Sequence, residues 1–175
     1  MTPPPATGPE MPVFPTAPQA STRTRLTKAL LGFTIVATVL VVAIADVFNS
    51  THLFNPRWPG HARFHIGMQF TTLVLVSLAS LGALAGPLDK AKAWLAALAP
   101  LTFWPGLLVA WFIPGTDVYA TDELRQMGIP INLGLSLLFI AVTLWGVWLA
   151  STPEKRARSA PDAPRRMHEG RQTAA

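Results

Sequence analysis

Four long runs without a charged residue divide this 175-residue chain: Ala29–Ala45, Ile66–Leu88, Ala93–Thr116 and Gln126–Pro153. A helix crosses the hydrocarbon core of a bilayer with about 20 mainly apolar residues. The last three runs reach that length outright. The first is short, but Lys28 can snorkel at one end and Asp46 can sit near the other interface. Inside lipid every backbone polar group must be satisfied within its own segment, so such runs fold as helices. They also lack the polar face that an amphipathic helix of a soluble bundle keeps. The predicted fold is all-α: a four-helix transmembrane bundle over residues 23–152, with spans near 26–47, 66–87, 93–114 and 128–150.

Composition points the same way. Half of the residues are hydrophobic and 13% are charged, against about a quarter charged in soluble domains. The absence of cysteine excludes disulfides, thiolate metal sites and cysteine nucleophiles. A formal charge of +5 would suit nucleic acid, but the basic residues stand beside the apolar runs, where they set membrane orientation. No nucleic-acid partner is expected; the expected partner is the lipid bilayer.

The loops give the orientation. Arg23, Arg25, Lys28, Lys90, Lys92, Lys155, Arg156, Arg158, Arg165, Arg166 and Arg171 fall on one side of a four-span chain, and only Arg57, Arg63 and Arg125 on the other. The positive-inside rule then places both termini in the cytoplasm, for a protein of the cell inner membrane. Residues 1–22, with prolines at 3, 4, 5, 9, 12, 15 and 18, lack the apolar mass to pack and are predicted to be disordered. They show neither the basic start nor the apolar core of a cleavable signal. The basic tail 153–175 is predicted to be disordered near anionic headgroups.

Chemistry concentrates between the first two spans. Asp46 to Gln69 reads DVFNSTHLFNPRWPGHARFHIGMQ and holds three of the four histidines, His52, His61 and His65. A polar segment between membrane spans is costly unless it has a task. Pro59 suits the first turn of the second helix, which sets His61 and His65 one turn apart on a face continued by Met68, Gln69, Thr72, Ala79, Ala83 and Gly86. That face is expected to point into the bundle. Asn132, Ser136 and Thr143 form a matching stripe on the fourth helix, with Ser136 and Thr143 read as interhelical glue. Prolines 100, 105 and 114 mark the third span, with a kink expected at Trp104–Pro105–Gly106.

The resulting candidate site is an outward-facing polar mouth. Its ligand-binding candidates are His52, Asn55, Arg57, Trp58, His61, Arg63, His65, Gln69, Asp117 and Asn132; Asp46, His61 and His65 are the catalytic candidates. At least one of Asp46, Asp117 and Asp122 is expected to reach Arg57, Arg63, His61 or His65, because charges near low dielectric are expensive unpaired. Gln69 and Asn132 should face a shared cavity from below, with Trp104 or Trp111 as its apolar wall. If these side chains point separately into water or lipid, with no cavity between the second and fourth helices, ligand binding at this mouth is dropped and the structural reading is kept. His-x-x-x-His is a weak metal signal and lacks the glutamate of the hydrolase pattern. No metal site is assigned, His61 and His65 being the weak candidates, and no cofactor is named.

The run HLFNPRWPGHARFH, between a span ending in Asp46 and one opening near Gln69, resembles a family of small four-span membrane proteins from bacteria and fungi, a domain of unknown function. The resemblance covers Leu26 to about Leu149 and is carried by Asn55-Pro56-Arg57-Trp58 and His61-Ala62-Arg63-Phe64-His65. It implies a four-helix membrane bundle and no established activity. Sterol-isomerase-type and quinone-related four-span bundles are similar in architecture only. Two functions fit the sequence. One is a membrane module binding a small lipophilic or anionic-headed ligand at the outer mouth, with or without turnover. The other is a non-catalytic accessory subunit that docks a partner. A lipophilic small molecule and a homo-oligomer stand as candidate partners.

Overall fold

A computed structural model describes residues 20–119 and 121–152; both tails predicted to be disordered, apart from a few residues next to the helices, lie outside the described residues. The described residues form helices and connections, with no strand among them. Helix α1 is Thr22–Val42 and continues as a π-helical turn, Ala43–Val47; α2 is Gly60–Ala83, α3 Lys90–Ala96, α4 Leu98–Ala110, α5 Asp122–Met127 and α6 Ile131–Ser151. Three of these are long and apolar enough to cross a membrane: Thr22–Val47, Gly60–Ala83 and Ile131–Ser151. Helices α3 and α4 meet the same criterion only as a pair, bent by 49°.

Local sequence sets the helix starts. Ser21 accepts the Thr24 N–H at α1, Asp89 the Lys92 N–H at α3 and Thr121 the Leu124 N–H at α5. Each satisfies one of the first-turn donors that a helix leaves unpaired. Pro59 precedes α2 as its N-cap residue, one position before its expected place in the first turn.

The core is built from small residues facing large ones. Leu31 and Ile35 of α1 pack with Ala83 of α2, Ala93, Ala96 and Ala97 around α3, and Val147 of α6. In lipid, helices gain by approaching closely, which small side chains permit. Gly146 marks the tightest crossing. A methyl built there would stand 2.9 Å from Leu31 Cδ2 and 3.0 Å from its Cγ. Helix α6 packs chiefly on α1 and α4, and α2 on α1, α3 and α4; α2 and α6 do not pack on each other.

The third apolar run bends at a different place from the one expected. The break falls at Ala97, and Pro105 lies inside α4 without ending it. Pro100 explains the position: it has no N–H for the Ala96 carbonyl, and its ring crowds that carbonyl. Ser80 of α2 then enters the gap. Its hydroxyl donates to the Leu95 carbonyl (3.2 Å) and accepts the Ala99 N–H (3.4 Å). Those two groups would bond each other in an unbroken helix. One serine on a neighbouring helix thus occupies the missing rung.

Trp104, expected as a cavity wall, is a core residue at 2% exposure. Its indole N–H donates to Thr38 Oγ1 (2.8 Å), and the Thr38 hydroxyl donates to the Thr34 carbonyl (2.6 Å). The ring stacks on Phe139 at 4.8 Å between centroids. A buried indole needs an acceptor, and α1 supplies it. Ser136 and Thr143 are buried as well, but their hydroxyls return to the Asn132 and Phe139 carbonyls of their own helix, so they do not bond between helices.

Candidate functional site

The inward face of α2 differs from the expected one. Leu73, Ser77, Ser80 and Ala83 are buried. His61, His65, Met68, Gln69, Thr72 and Ala79 are exposed, and Gly86 lies beyond the helix in a left-handed turn. The buried stripe is displaced by one residue from Thr72 and Ala79, about 100° around the axis. The physical reason is the serine pair. Polar residues on a membrane helix suggest an inward face, but here the face that must meet the broken third span is the one carrying Ser80.

The segment after α1 is organised by side chains bonding to backbone. Phe48 N–H reaches the Ala43 carbonyl (2.8 Å) across the π turn. Asn49 Nδ2 donates to the Ile44 carbonyl (2.9 Å) and the Ala45 carbonyl, closing the end of the helix. Asn55 Nδ2 donates to the Thr51 carbonyl (3.0 Å), and its Oδ1 accepts the Arg57 N–H (2.9 Å). Asn55 therefore shapes the turn that carries Pro56, Arg57 and Trp58. Its polar atoms are committed to backbone.

Asp46 and His52 face each other within this segment. Asp46 Oδ1 lies 3.5 Å from His52 Nδ1, and both side chains are about three-quarters buried, at 25% and 26% exposure. Thr51 Oγ1 is 2.7 Å from the same nitrogen, and Trp58 meets the ring edge-on at 5.3 Å. Asp46 is thus oriented on His52, not on His61 or His65.

His61 and His65 form a second, separate cluster. Their Nε2 atoms are 3.0 Å apart and their rings nearly perpendicular at 85°. Phe64 stacks on His61 and meets His65 edge-on. A third cluster lies in the connection between α4 and α6. Asp117 pairs with Arg125, which also lies 3.9 Å from Asp122 and over the Tyr119 ring at 5.9 Å. Asn132 Nδ2 donates to the Val118 carbonyl (3.0 Å), tying the loop to the start of α6. In this loop the Glu123 carboxyl is held below its ordinary range by its own backbone N–H and by the Thr121 hydroxyl.

The expected mouth is therefore not assembled. Among the described residues Asp46 pairs with His52, and Asp117 and Asp122 pair with Arg125. None joins a carboxylate to Arg57, Arg63, His61 or His65. Gln69 is exposed on α2, Trp111 is exposed at the end of α4, and α2 does not pack on α6, so no cavity between those helices unites Gln69 with Asn132. The carboxylates find partners nearby in sequence because the loops fold back on themselves, which removes the need for pairing across the bundle.

A different concavity is present. An open groove of about 730 Å³ runs along the first turns of α2 beneath the preceding loop. Leu53, Phe54, Phe64 and Met68 supply apolar walls, Thr71 and Thr72 line it further along α2, and Gly60 and Gly67 keep the helix surface low. Arg63 is the charged residue in its lining, and its Nε is buried without a hydrogen-bond partner. Of the sequence candidates, only Arg63 lines this groove. The signal that could have found it was Gly60, Arg63, Phe64 and Gly67 at helical spacing, one strip of helix away from the histidines.

Comparison with family models, with curated proteins and with solved structures returns no match to this chain.

Proposed function

We propose that this chain is a four-span protein of the inner membrane, with both termini cytoplasmic, that holds an amphiphile with an anionic headgroup in the groove along α2. The topology rests on counting α3 and α4 as one bent span and on the eleven basic residues of one side against three of the other. An alkaline phosphatase reporter fused after Thr152 should be inactive; activity there would reverse the topology.

One observation carries the ligand reading: Arg63 Nε is buried in the wall of an apolar groove and no protein group satisfies it. A buried guanidinium N–H without an acceptor is expensive. Its planar fork of donors matches a phosphate or carboxylate. Phe54, Phe64, Met68 and Leu53 beside it offer an apolar bed for a chain. An anion at Arg63 and a hydrocarbon tail along the walls satisfy both halves of the groove. The original mouth, with Gln69 and Asn132 as its floor, is not part of this reading.

The test is lipid retention. Native mass spectrometry of the purified chain should show a retained anionic lipid. Arg63→Gln should lose it with unchanged melting temperature, while Arg57→Gln, outside the groove, should keep it. Equal retention by Arg63→Gln would sink the groove and leave the accessory-subunit reading.

A further inference from the structure

The first two turns of α2 carry an imidazole pair that the groove reading does not use, since neither His61 nor His65 lines the groove. Both side chains are exposed, and their Nε2 atoms converge to 3.0 Å. Convergence of these two atoms is a feature of the rotamers, which the His-x-x-x-His spacing alone does not fix. In the metal-free pair one ring donates its N–H to the lone pair of the other. When that proton moves to Nδ1 of its own ring, both Nε2 lone pairs are free for a cation sitting off the line between the two nitrogens.

The distance can be tested against coordination geometry. Imidazole nitrogen sits about 2.0–2.1 Å from a zinc-sized ion, so donors 3.0 Å apart subtend roughly 94° at the metal. That is close to the right angle between neighbouring ligands in square-planar and octahedral centres. A tetrahedral ion asks for nitrogens about 3.4 Å apart, which small ring rotations at exposed side chains reach. Phe64 packs on both rings and limits their freedom before the ion arrives. The nearby carboxylates are engaged elsewhere, Asp46 with His52 and Asp117 with Arg125. No third His, Asp or Glu completes a cluster among the described residues.

We propose that His61 and His65 form a two-point chelate for a divalent transition ion, with water in the remaining positions. Two neutral nitrogens and no carboxylate select copper, nickel and zinc over magnesium and calcium. Among the transition ions affinity follows the usual order, copper above nickel and zinc. The site is open rather than closed, so it is a place where an ion is held exchangeably. It does not depend on the groove, and its failure would leave the lipid reading untouched.

The experiment uses the full chain in detergent micelles, purified without a histidine tag and titrated with Cu²⁺, Ni²⁺ and Zn²⁺ by calorimetry. One Cu²⁺ per chain is expected, bound more tightly than Ni²⁺ or Zn²⁺. His61→Gln and His65→Gln should each weaken Cu²⁺ by about tenfold or more, because losing one of two linked donors forfeits the effective concentration of the second. His52→Gln and His168→Gln should bind as the natural chain does. The electron paramagnetic resonance spectrum of the Cu²⁺ complex should show two equatorial nitrogens. A one-nitrogen spectrum, or affinity that follows His52 or His168 instead of the pair, would overturn the site even if a variant failed to accumulate.

Discussion

The end of the molecule around Leu31, Ser80, Ala97 and Gly146 and the end around Asp46, His61 and Asp117 carry polar groups in different ways. In the helix contacts of the first end the polar groups are buried hydroxyls, and most of them donate to backbone carbonyls. At the second end they are charged or amide groups, half-buried or exposed, and they bond within short loops. The difference shows where packing is specified. A hydroxyl is small enough to enter a helix contact, so its loss is felt by two elements. A loop carboxylate paired with a neighbour in sequence holds only its own loop.

The sharpest way to break this comparison is at its largest residue. Trp104→Ala removes a buried indole, its stack on Phe139 and the donor that satisfies Thr38. The expected cost is about 3–5 kcal/mol, in the range for large-to-small core changes. Trp58→Ala, half-buried beside His52 in the segment after α1, should cost far less. Thermal unfolding in micelles reads both. Equal losses would mean the two ends are packed alike.

Ser80 gives the next effect. Interhelical hydrogen bonds in membranes average about 0.6 kcal/mol, because the separated helices find other partners. Ser80→Ala should exceed that average. It strands both the Leu95 carbonyl and the Ala99 N–H in a buried break that Pro100 prevents from closing. Two unsatisfied backbone groups put the loss nearer 1–3 kcal/mol. Ser77→Ala is the control on the same face. Its hydroxyl is buried with no partner, so removing it forfeits no hydrogen bond and should not lower stability. If Ser77→Ala proves as costly as Ser80→Ala, the bridge across the break is not what holds α2 to the third span.

What the sequence made legible follows the same division. Charge-free runs and turn residues located the long helices, because hydrocarbon thickness and backbone satisfaction leave little choice. The loop prolines placed the start of α2 within one residue. The facing of α2 was not legible. In a soluble helix exposed residues are polar, but a membrane helix shows apolar residues to lipid, so its period does not say which side is inside. The pattern His61–His65–Gln69 looks like a buried polar stripe and is exposed; Ser77 and Ser80 are the residues that turn inward. The bend position was hidden similarly, since three prolines competed and only Pro100 coincides with a hydroxyl from another helix able to fill the gap. Of the candidate site, the Asp46–His52 pair and the His61–His65 pair came from residues the sequence singled out, but not their separation. Pairing depends on how the loop at 48–59 folds back, which Asn49 and Asn55 decide through bonds to backbone.

The smallest expected effect tests the other side of the comparison. Arg125 pairs with Asp117 and approaches Asp122, yet its side chain is 57% exposed and that of Asp122 90%. An ion pair in water gains little Coulomb energy over hydration and must order two side chains. Arg125→Gln should therefore lower stability by only about 0.2–1 kcal/mol. Salt should shrink the difference further, because exposed charges are screened. The tie of this loop to α6 passes instead through Asn132 and the Val118 carbonyl, which the substitution leaves in place. Melting temperatures of Arg125→Gln and the natural chain at low and high salt decide the point. A loss as large as that of Ser80→Ala, unchanged by salt, would show that the loop around Asp117 and Arg125 is coupled to the helices through its charges, and the contrast between the two ends would no longer hold.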